Sequence, residues 1–266
     1  MDFCNMTLSQ IQSFLAGNGQ ELDEESITAL SCDPRAGVRK IYQRICRERV
    51  LAEQERVRLG KMTIYERDAL DKGFRFIAGV DEVGRGPLAG PVAAAAVILP
   101  VGIFLPGLND SKKLSPAKRD CLFREITKQA VSWSVGFASV EEIDSLNILQ
   151  ASLVAMQRAV SSLQKGPDYI LVDAVRIPGI KIPQLPIIKG DGKSVSIAAA
   201  SIVAKVTRDR MMEELEKLYP GYGFAGHKGY GTPEHLEALK AFGTCNLHRK
   251  TFTRNFTAAK VQGKLW

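Results

Sequence analysis

The sequence predicts an α/β fold, in which helices flank a sheet whose strand ends carry the chemistry. Three observations predict it. Short apolar runs stop at acids: Ile77-Ala78-Gly79-Val80 before Asp81 and Glu82, Tyr169-Ile170-Leu171-Val172 before Asp173, and Pro186-Ile187-Ile188 before Lys189-Gly190-Asp191. Between such runs lie long segments with apolar residues at helical spacing. Gly and Pro crowd the connections, most densely over 84–91.

The chain has 266 residues, 45% hydrophobic and 24% charged, which suits a globular protein with a substantial core. Its longest apolar run, Val92 to Leu99, is too short to span a bilayer. The N-terminus lacks a cationic stretch followed by an apolar one, so no secretory signal is evident. Five scattered cysteines with no C-x-x-C pair suit a reduced setting, and a cytoplasmic monomer is expected. The net charge of +7 is uneven: 11 Lys/Arg against 12 Asp/Glu over 1–72, 14 against 11 over 73–203, and 11 against 6 over 204–266. A basic C-terminal part suits a polyanionic partner such as nucleic acid.

In chain order, Leu8, Ile11, Phe14 and Leu15 predict a helix over 7–16, stopped by Gly17 to Gly19, with an acidic patch from Glu21 to Glu25 after it. A second helix begins at Asp33-Pro34. Val38, Ile41, Ile45 and Val50 line one face, and Arg35, Arg39, Lys40, Arg44, Arg47 and Arg49 the other. That basic face fits either a solvated surface or an auxiliary nucleic-acid contact. Residues 51–72 read as a charged helical linker. The domain expectation is a helical extension and linker over 1–72 and a catalytic domain over 73–266.

Within the larger part, Ile77–Val80 and Val92–Leu99 read as core strands. Ser115 as N-cap and Pro116 at the first helical position predict a helix over 116–130. Val131, Trp133, Val135 and Phe137 alternate as the apolar face of a strand. The stripe Ile143, Leu146, Leu149, Leu153, Met156, Val160 and Leu163 predicts one continuous helix over 141–164, followed by a parallel crossover to 169–173. Residues 195–218 form another helix, and Ala198-Ala199-Ala200-Ser201 predicts close packing on the sheet. Thr232-Pro233 starts a short helix to Phe242. The tail from His248 is basic and without a strong period.

Asp81, Glu82, Asp173 and Asp191 point to one cleft, because sites in α/β sheets gather at the carboxyl ends of strands. One such acidic segment alone fits a plain turn; three favour the cleft. Clustered carboxylates repel, and hard divalent cations relieve them. Oxygen-only donors fit Mg²⁺ or Mn²⁺ better than Zn²⁺. Gly84-Arg85-Gly86 could let a phosphate-bearing ligand lie against the backbone. Gly192-Lys193-Ser194 is not a phosphate loop, since the first glycine of that motif would fall at Ile187. His227, His235 and His248 lack metalloprotease spacing, and no nucleophile-elbow motif is present.

GVDEVGRGPLAGPV over 79–92 resembles the signature of the ribonuclease HII family, the type 2 ribonucleases H. The resemblance extends in order through Asn109 to Ser115, Tyr169 to Asp173, Lys189-Gly190-Asp191, Ala198 to Asp209 and His227 to Tyr230, about residues 74 to 256. Some bacterial members carry an N-terminal extension like the first seventy residues here. The resemblance implies a ribonuclease H-like mixed sheet flanked by helices. It implies two-metal endonucleolytic cleavage of RNA-DNA hybrids and at a ribonucleotide within duplex DNA, leaving 3′-hydroxyl and 5′-phosphate ends. Asp81, Glu82, Asp173 and Asp191 match the metal ligands, and Gly84, Arg85 and Gly86 the ribose-sensing loop. Tyr230 matches the tyrosine that stacks on the neighbouring sugar, and Ser111, Lys112 and Lys113 match phosphate contacts. Two other classes stay open: another metal-dependent nuclease of the same fold, such as a resolvase or exonuclease, and a non-catalytic nucleic-acid-binding protein.

Overall fold

A computed structural model describes residues 3, 5–17 and 22–257 of the chain. Asn18 and Gly19 of the expected helix stop, Glu21 of the acidic patch and the tail beyond residue 257 lie outside the described residues. The chain forms two compact units, Met1–Arg58 and Leu59–Trp266. None of the described helices is long and apolar enough to cross a membrane.

The first unit holds α1 (Leu8–Gly17), α2 (Glu24–Cys32) and most of α3 (Ala36–Met62). Phe3, Ile11, Leu30, Val38 and Ile41 form its core, with Ile45 partly buried beside them, whereas Val50 is exposed. Helix α2, hidden in the sequence behind an acidic patch, starts where the Asp23 carboxylate accepts the Ser26 amide. Part of the expected basic face is structural. Arg35 pairs with Asp33 and donates to the carbonyls of Met6 and Phe3, and Arg49 donates to the Leu22 carbonyl.

The second unit begins inside the segment read as linker. Leu59 and Met62 enter one core layer, and Ala69 of α4 (Ile64–Asp71) enters another beneath Ile77, Leu171 and Ile187. Five strands follow: β1 (Ile77–Val83), β2 (Val92–Ile98), then, after α5 (Pro116–Gln129), β3 (Ser132–Ala138). Helices α6 (Val140–Leu146) and α7 (Ile148–Ser161) lead to β4 (Tyr169–Asp173) and β5 (Gln184–Ile187). Then come α8 (Val195–Leu218), α9 (Phe224–His227) and α10 (Pro233–Phe242). The sheet order is β3-β2-β1-β4-β5, with β1 antiparallel to β2, β2 antiparallel to β3, and β1, β4 and β5 parallel. It is the expected mixed sheet. The crossover from β3 to β4 joins strands of like direction, but β2 and β1 lie between them.

Alternation along the strands sorts the two faces. Ala78, Val80, Ala94 and Ala96 pack under α7, and Ala95 and Val97 under α5 and α8. Both helices come very close. A β-carbon on Gly136 would stand 2.3 Å from the Ala155 carbonyl oxygen of α7, and one on Gly79 would stand 2.0 Å from the Ser196 carbonyl carbon of α8. The Ala198–Ser201 stretch thus does lie tight on the sheet. Glu66 of α4 secures the start of α8 by accepting the Ser194 hydroxyl at 2.5 Å and the Ser196 amide at 3.0 Å.

Several expectations are corrected. The stripe over 141–164 is two helices, because Asn147 sits at φ 75° and its side chain caps the amides of Leu149 and Gln150. Leu146 and Leu149 are consequently exposed. In β3 the inward face is Ser132, Ser134, Gly136 and Ala138, not the apolar set, because only small residues fit beneath α7. β5 is a half-exposed edge strand instead of a buried one, and Ile188 beyond it is 71% exposed.

Gly79→Ala is expected to cost about 3 kcal/mol, because its methyl meets helix backbone that cannot move aside. Denaturant unfolding measures this; Gly166→Ala, where nothing lies within 4 Å of the added carbon, is the matched control.

Candidate active site

The β1–β4 ladder ends by pairing Val80 with Val172, so Asp81 and Asp173 follow side by side where that pairing stops. Asp81 is buried within β1, which continues through Glu82 to Val83 instead of stopping at the acids. Its Oδ1 accepts the Glu82 amide at 2.8 Å. Glu82 is nearly buried and takes the Arg85 guanidinium at 3.2 Å. Asp173 closes β4, and its Oδ1 accepts the Gly190 amide at 2.7 Å. That bond holds the tight turn Gly190–Gly192, which carries Asp191. Lys189 enters the turn in the left-handed conformation, at φ 57°.

The four acids share one electrostatic neighbourhood. Burial first, and then the charges of Glu82 and Asp173, hold the Asp81 carboxyl well above the usual carboxylate range. Burial raises Glu82, partly offset by Arg85 and reinforced by Asp173. Burial, with Asp110 and Asp173, raises Asp191. Lys112 faces the same group: burial works against its charge, but Asp110, Asp191, Asp81 and Asp173 together raise its pKa. Among the described residues no three His, Cys, Asp or Glu side chains converge as a ready metal cage. Glu82 is drawn to Arg85 and Asp173 to the Gly190 amide. The donor set nevertheless fits a hard divalent cation: oxygen ligands only, at one end of the sheet, with burial and neighbouring charge working against ionisation of Asp81, Glu82 and Asp191.

Ser111, expected at a phosphate, is buried, and its hydroxyl meets Ser201 of α8 at 2.9 Å. Lys112 and Lys113 are exposed on the short turn Ser111–Lys113. Gly84 and Gly86 part company. Gly84 has φ 89°, and a β-carbon there would stand 2.3 Å from Nε of Arg208, so glycine is demanded by the interior. A β-carbon on Gly86 would make ordinary contact with Tyr230, at 3.7 Å. Tyr230 is 40% exposed at the edge of a cavity of about 840 Å³ lined also by Arg119, Arg124, Lys205, Arg210 and Lys228.

Three residues around this turn escaped sequence reasoning as site residues. Arg208 and Arg249 are wholly buried behind it. Asp110 acts electrostatically on both Asp191 and Lys112. The histidines, scattered in sequence, gather beneath Tyr230. His235 Nε2 meets His248 Nε2 at 3.0 Å, and His227 stacks on His235 at 4.3 Å. The Cys245 amide donates to His248 Nδ1, so His248 Nε2–H donates to His235, and His235 Nδ1–H donates to the Tyr230 carbonyl.

A mixed sheet in this strand order, with acids at the ends of its parallel central strands, defines a ribonuclease H fold. Two solved structures share it: ribonuclease H2 of Pyrococcus horikoshii (29% identity, TM-score 0.57, covering 68% of this chain and 96% of that one) and the RNase HII of an Archaeoglobus fulgidus complex with PCNA (27%, TM-score 0.53, 71% and 98%). Bst-RNase HIII, solved in complex with Mn²⁺, shares the fold alone at 20% identity (TM-score 0.53, 71% of each chain). The chain belongs to the ribonuclease HII family: the family model "Ribonuclease HII" matches residues 78–256, and "Ribonuclease HII N-terminal domain" matches 7–70. It is 48% identical over 252 residues to Ribonuclease HII of Acetivibrio thermocellus (95% of this chain, 98% of that protein). It is 53% identical over 246 residues to that of Pelotomaculum thermopropionicum (92% of each). It is therefore a metal-dependent endoribonuclease of the ribonuclease H class.

The histidine group gives a pH prediction. Burial and the neighbouring His235 lower the His248 pKa to about 4, and burial lowers that of His235. Unfolded imidazoles take up protons near 6.5. Between the two values the unfolded chain binds more protons, so stability falls as pH drops from about 6.5 toward 4, by on the order of 3 kcal/mol for His248. Thermal unfolding across this range is expected to show the loss, and His248→Gln to flatten it.

Proposed function

We propose that this enzyme cuts the phosphodiester 5′ of ribonucleotides, both in RNA-DNA hybrids and at single ribonucleotides embedded in duplex DNA, leaving 3′-hydroxyl and 5′-phosphate ends. The observation that carries this is the meeting of two features at one sheet end. Asp81 and Asp173 lie level in neighbouring strands with Asp191 acting electrostatically on Asp81, and the loop Gly84–Gly86 begins three residues after Asp81, with Gly86 beside Tyr230.

Asp81, Glu82, Asp173 and Asp191 would hold Mg²⁺ or Mn²⁺. Bound there, a pair of such cations supplies an activated water and stabilises the developing charge on the phosphodiester. The protein residues do the rest. Buried Asp81 and strand-end Asp173 fix the carboxylate positions. Arg85 holds Glu82 in place, and Lys112 moderates the negative field where the substrate chain would arrive. Tyr230 offers a ring face to a sugar, and the open space at Gly86 lets that sugar approach the backbone. The Ser111 hydroxyl is held against Ser201, which ties the Ser111–Lys113 turn to α8.

The test is cleavage of a duplex carrying one ribonucleotide, beside its all-deoxy counterpart, with and without Mg²⁺ or Mn²⁺. Metal-dependent cutting of the first alone is expected. Cutting of both would indicate a general nuclease, and binding without turnover a non-catalytic protein. Asp81→Asn and Asp173→Asn are expected to lower turnover by about 1,000-fold or more while the fold persists, since each removes charge at the reacting phosphate.

The two glycines are expected to behave differently. Gly86→Ala should leave stability nearly unchanged but lower cleavage at the ribonucleotide by about tenfold, through displacement of the sugar. Gly84→Ala should instead destabilise the protein by about 1–3 kcal/mol, because its methyl collides with Arg208 and its φ disfavours a side chain. Melting curves and rates on the two variants separate these effects.

A further inference from the structure

Two arginines are the largest completely buried side chains among the described residues, and neither touches a carboxylate there. A buried guanidinium is ordinarily neutralised by a partner. Here the partners are six main-chain carbonyls. Arg249 donates to Gly84 at 2.6 Å, Arg85 at 3.0 Å and Gly90 at 2.9 and 3.0 Å. Arg208 donates to Pro91 at 2.9 Å, Ala89 at 3.2 Å and Lys228 at 3.0 Å. Five of the six carbonyls belong to the loop 84–91.

The carbonyl of a trans peptide and the amide that follows it point in opposite directions. Turning the Gly84 and Arg85 carbonyls inward therefore turns the Arg85 and Gly86 amides outward. Farther along the loop the amides are used: those of Leu88 and Ala89 donate to the Gly229 carbonyl and that of Gly90 to the Leu247 carbonyl. Among the described residues no acceptor takes the Arg85 or Gly86 amide. Two adjacent amides thus face out from a loop with two uncompensated cations behind it. Such an arrangement attracts anionic and strongly accepting groups.

We infer that Arg208 and Arg249 are positioning residues that hold the Arg85 and Gly86 amides outward as paired donors to the ribonucleotide, its 2′-hydroxyl and the adjoining phosphate. The inference rests on the proposal that this loop meets the ribonucleotide. Geometry carries the effect, not charge alone. A guanidinium has five donors in a fixed fork, and only such a fork reaches three carbonyls at these angles. Burial and the charge of Arg208 lower Arg249 only to about 9, so its fork remains cationic at neutral pH; burial lowers Arg208, opposed by Tyr230 and Asp209. The Arg208 contact with Gly84 explains why the first glycine of the loop admits no side chain. The contacts of Arg249 with Gly84 and Arg85 tie the segment around residue 249 to the same loop.

Two measurements on the full chain test this. In the unmodified protein, amide hydrogen exchange followed by NMR should find Arg85 and Gly86 fast and Leu88, Ala89 and Gly90 protected. Protection of Arg85 and Gly86 in the free protein would overturn the outward orientation, and this readout needs no variant. Arg249→Lys, which keeps the charge but not the fork, should shift the Arg85 and Gly86 resonances while those of β1 and β4 stay in place. It should lower cleavage of the single-ribonucleotide duplex by about 100-fold, the scale of a small misplacement of reacting groups, and leave affinity for the all-deoxy duplex unchanged.

Parent-like cleavage by Arg249→Lys would overturn the proposal, and so would an equal loss of all-deoxy affinity, which marks a merely structural role. If Arg249→Lys fails to fold, the exchange result decides. The underlying reading of the loop is checked separately in the unmodified protein. Should its Arg85 and Gly86 resonances respond equally to the two duplexes, the loop does not read the ribose, whatever Arg249 does.

Discussion

The backbone contact between α8 and β1 is the constraint from which the site follows. At Gly79 the helix lies so close that no side chain fits between them. That approach fixes the helix in depth and rotation against the central strand. One turn of α8 after another then meets the β1 end and the loop that follows. Glu66 holds the first turn, Ser201 stands against Asp81 and Ser111, Arg208 lies under Gly84, and Met212 lies under Gly90. Were α8 shifted by one turn, the hydroxyls would no longer meet and Gly84 would lose its floor. The small residues Ala198 to Ser201 are thus a positional requirement as well as a packing one.

Charge is arranged in two layers around this helix. The acids sit at the strand ends, where burial and mutual repulsion raise Asp81, Glu82 and Asp191. The guanidinium groups of Arg208 and Arg249 lie behind the following loop, satisfied by carbonyls and not by those acids. Separation leaves the acids unpaired with these two arginines, and leaves the guanidinium groups to act on the loop backbone alone. Had the arginines paired directly with the acids, the site would be neutral and have little call on either cations or phosphate.

Much of this was legible in the sequence, because the acids that end apolar runs, the Ser115-Pro116 start and the alanine-rich helix are local signals. What escaped reading depends on how closely elements approach. The inward face of β3 is its small-residue face, since α7 leaves room for nothing larger. The break at Asn147 interrupts a hydrophobic stripe that looks continuous, because the cap is made by one side chain at positive φ. Ser111 reads as a loop hydroxyl until Ser201 arrives from 90 residues away. Gly84 and Gly86 are chemically identical in sequence, and only the neighbour beneath each tells them apart.

The same limit applies to net charge as evidence for a nucleic-acid surface. Residues 204–266 hold the largest basic excess, yet their cations are not equivalent. Arg208 and Arg249 are spent on carbonyls in the interior. Lys205 pairs with Asp209, Arg210 with Asp120 and Lys228 with Glu213, all along the cavity beside Tyr230. Of these, only the Arg210–Asp120 pair is exposed on both sides, and pairs of that kind are weak and exchange readily. A phosphate backbone that entered there could take over Arg210 while Asp120 turned to solvent, so a basic count and a bare positive field are different things. The two arginines contribute differently. Fixed in the interior, they cannot meet a phosphate themselves, and they act on the substrate only through the amides that their carbonyl bonds turn outward.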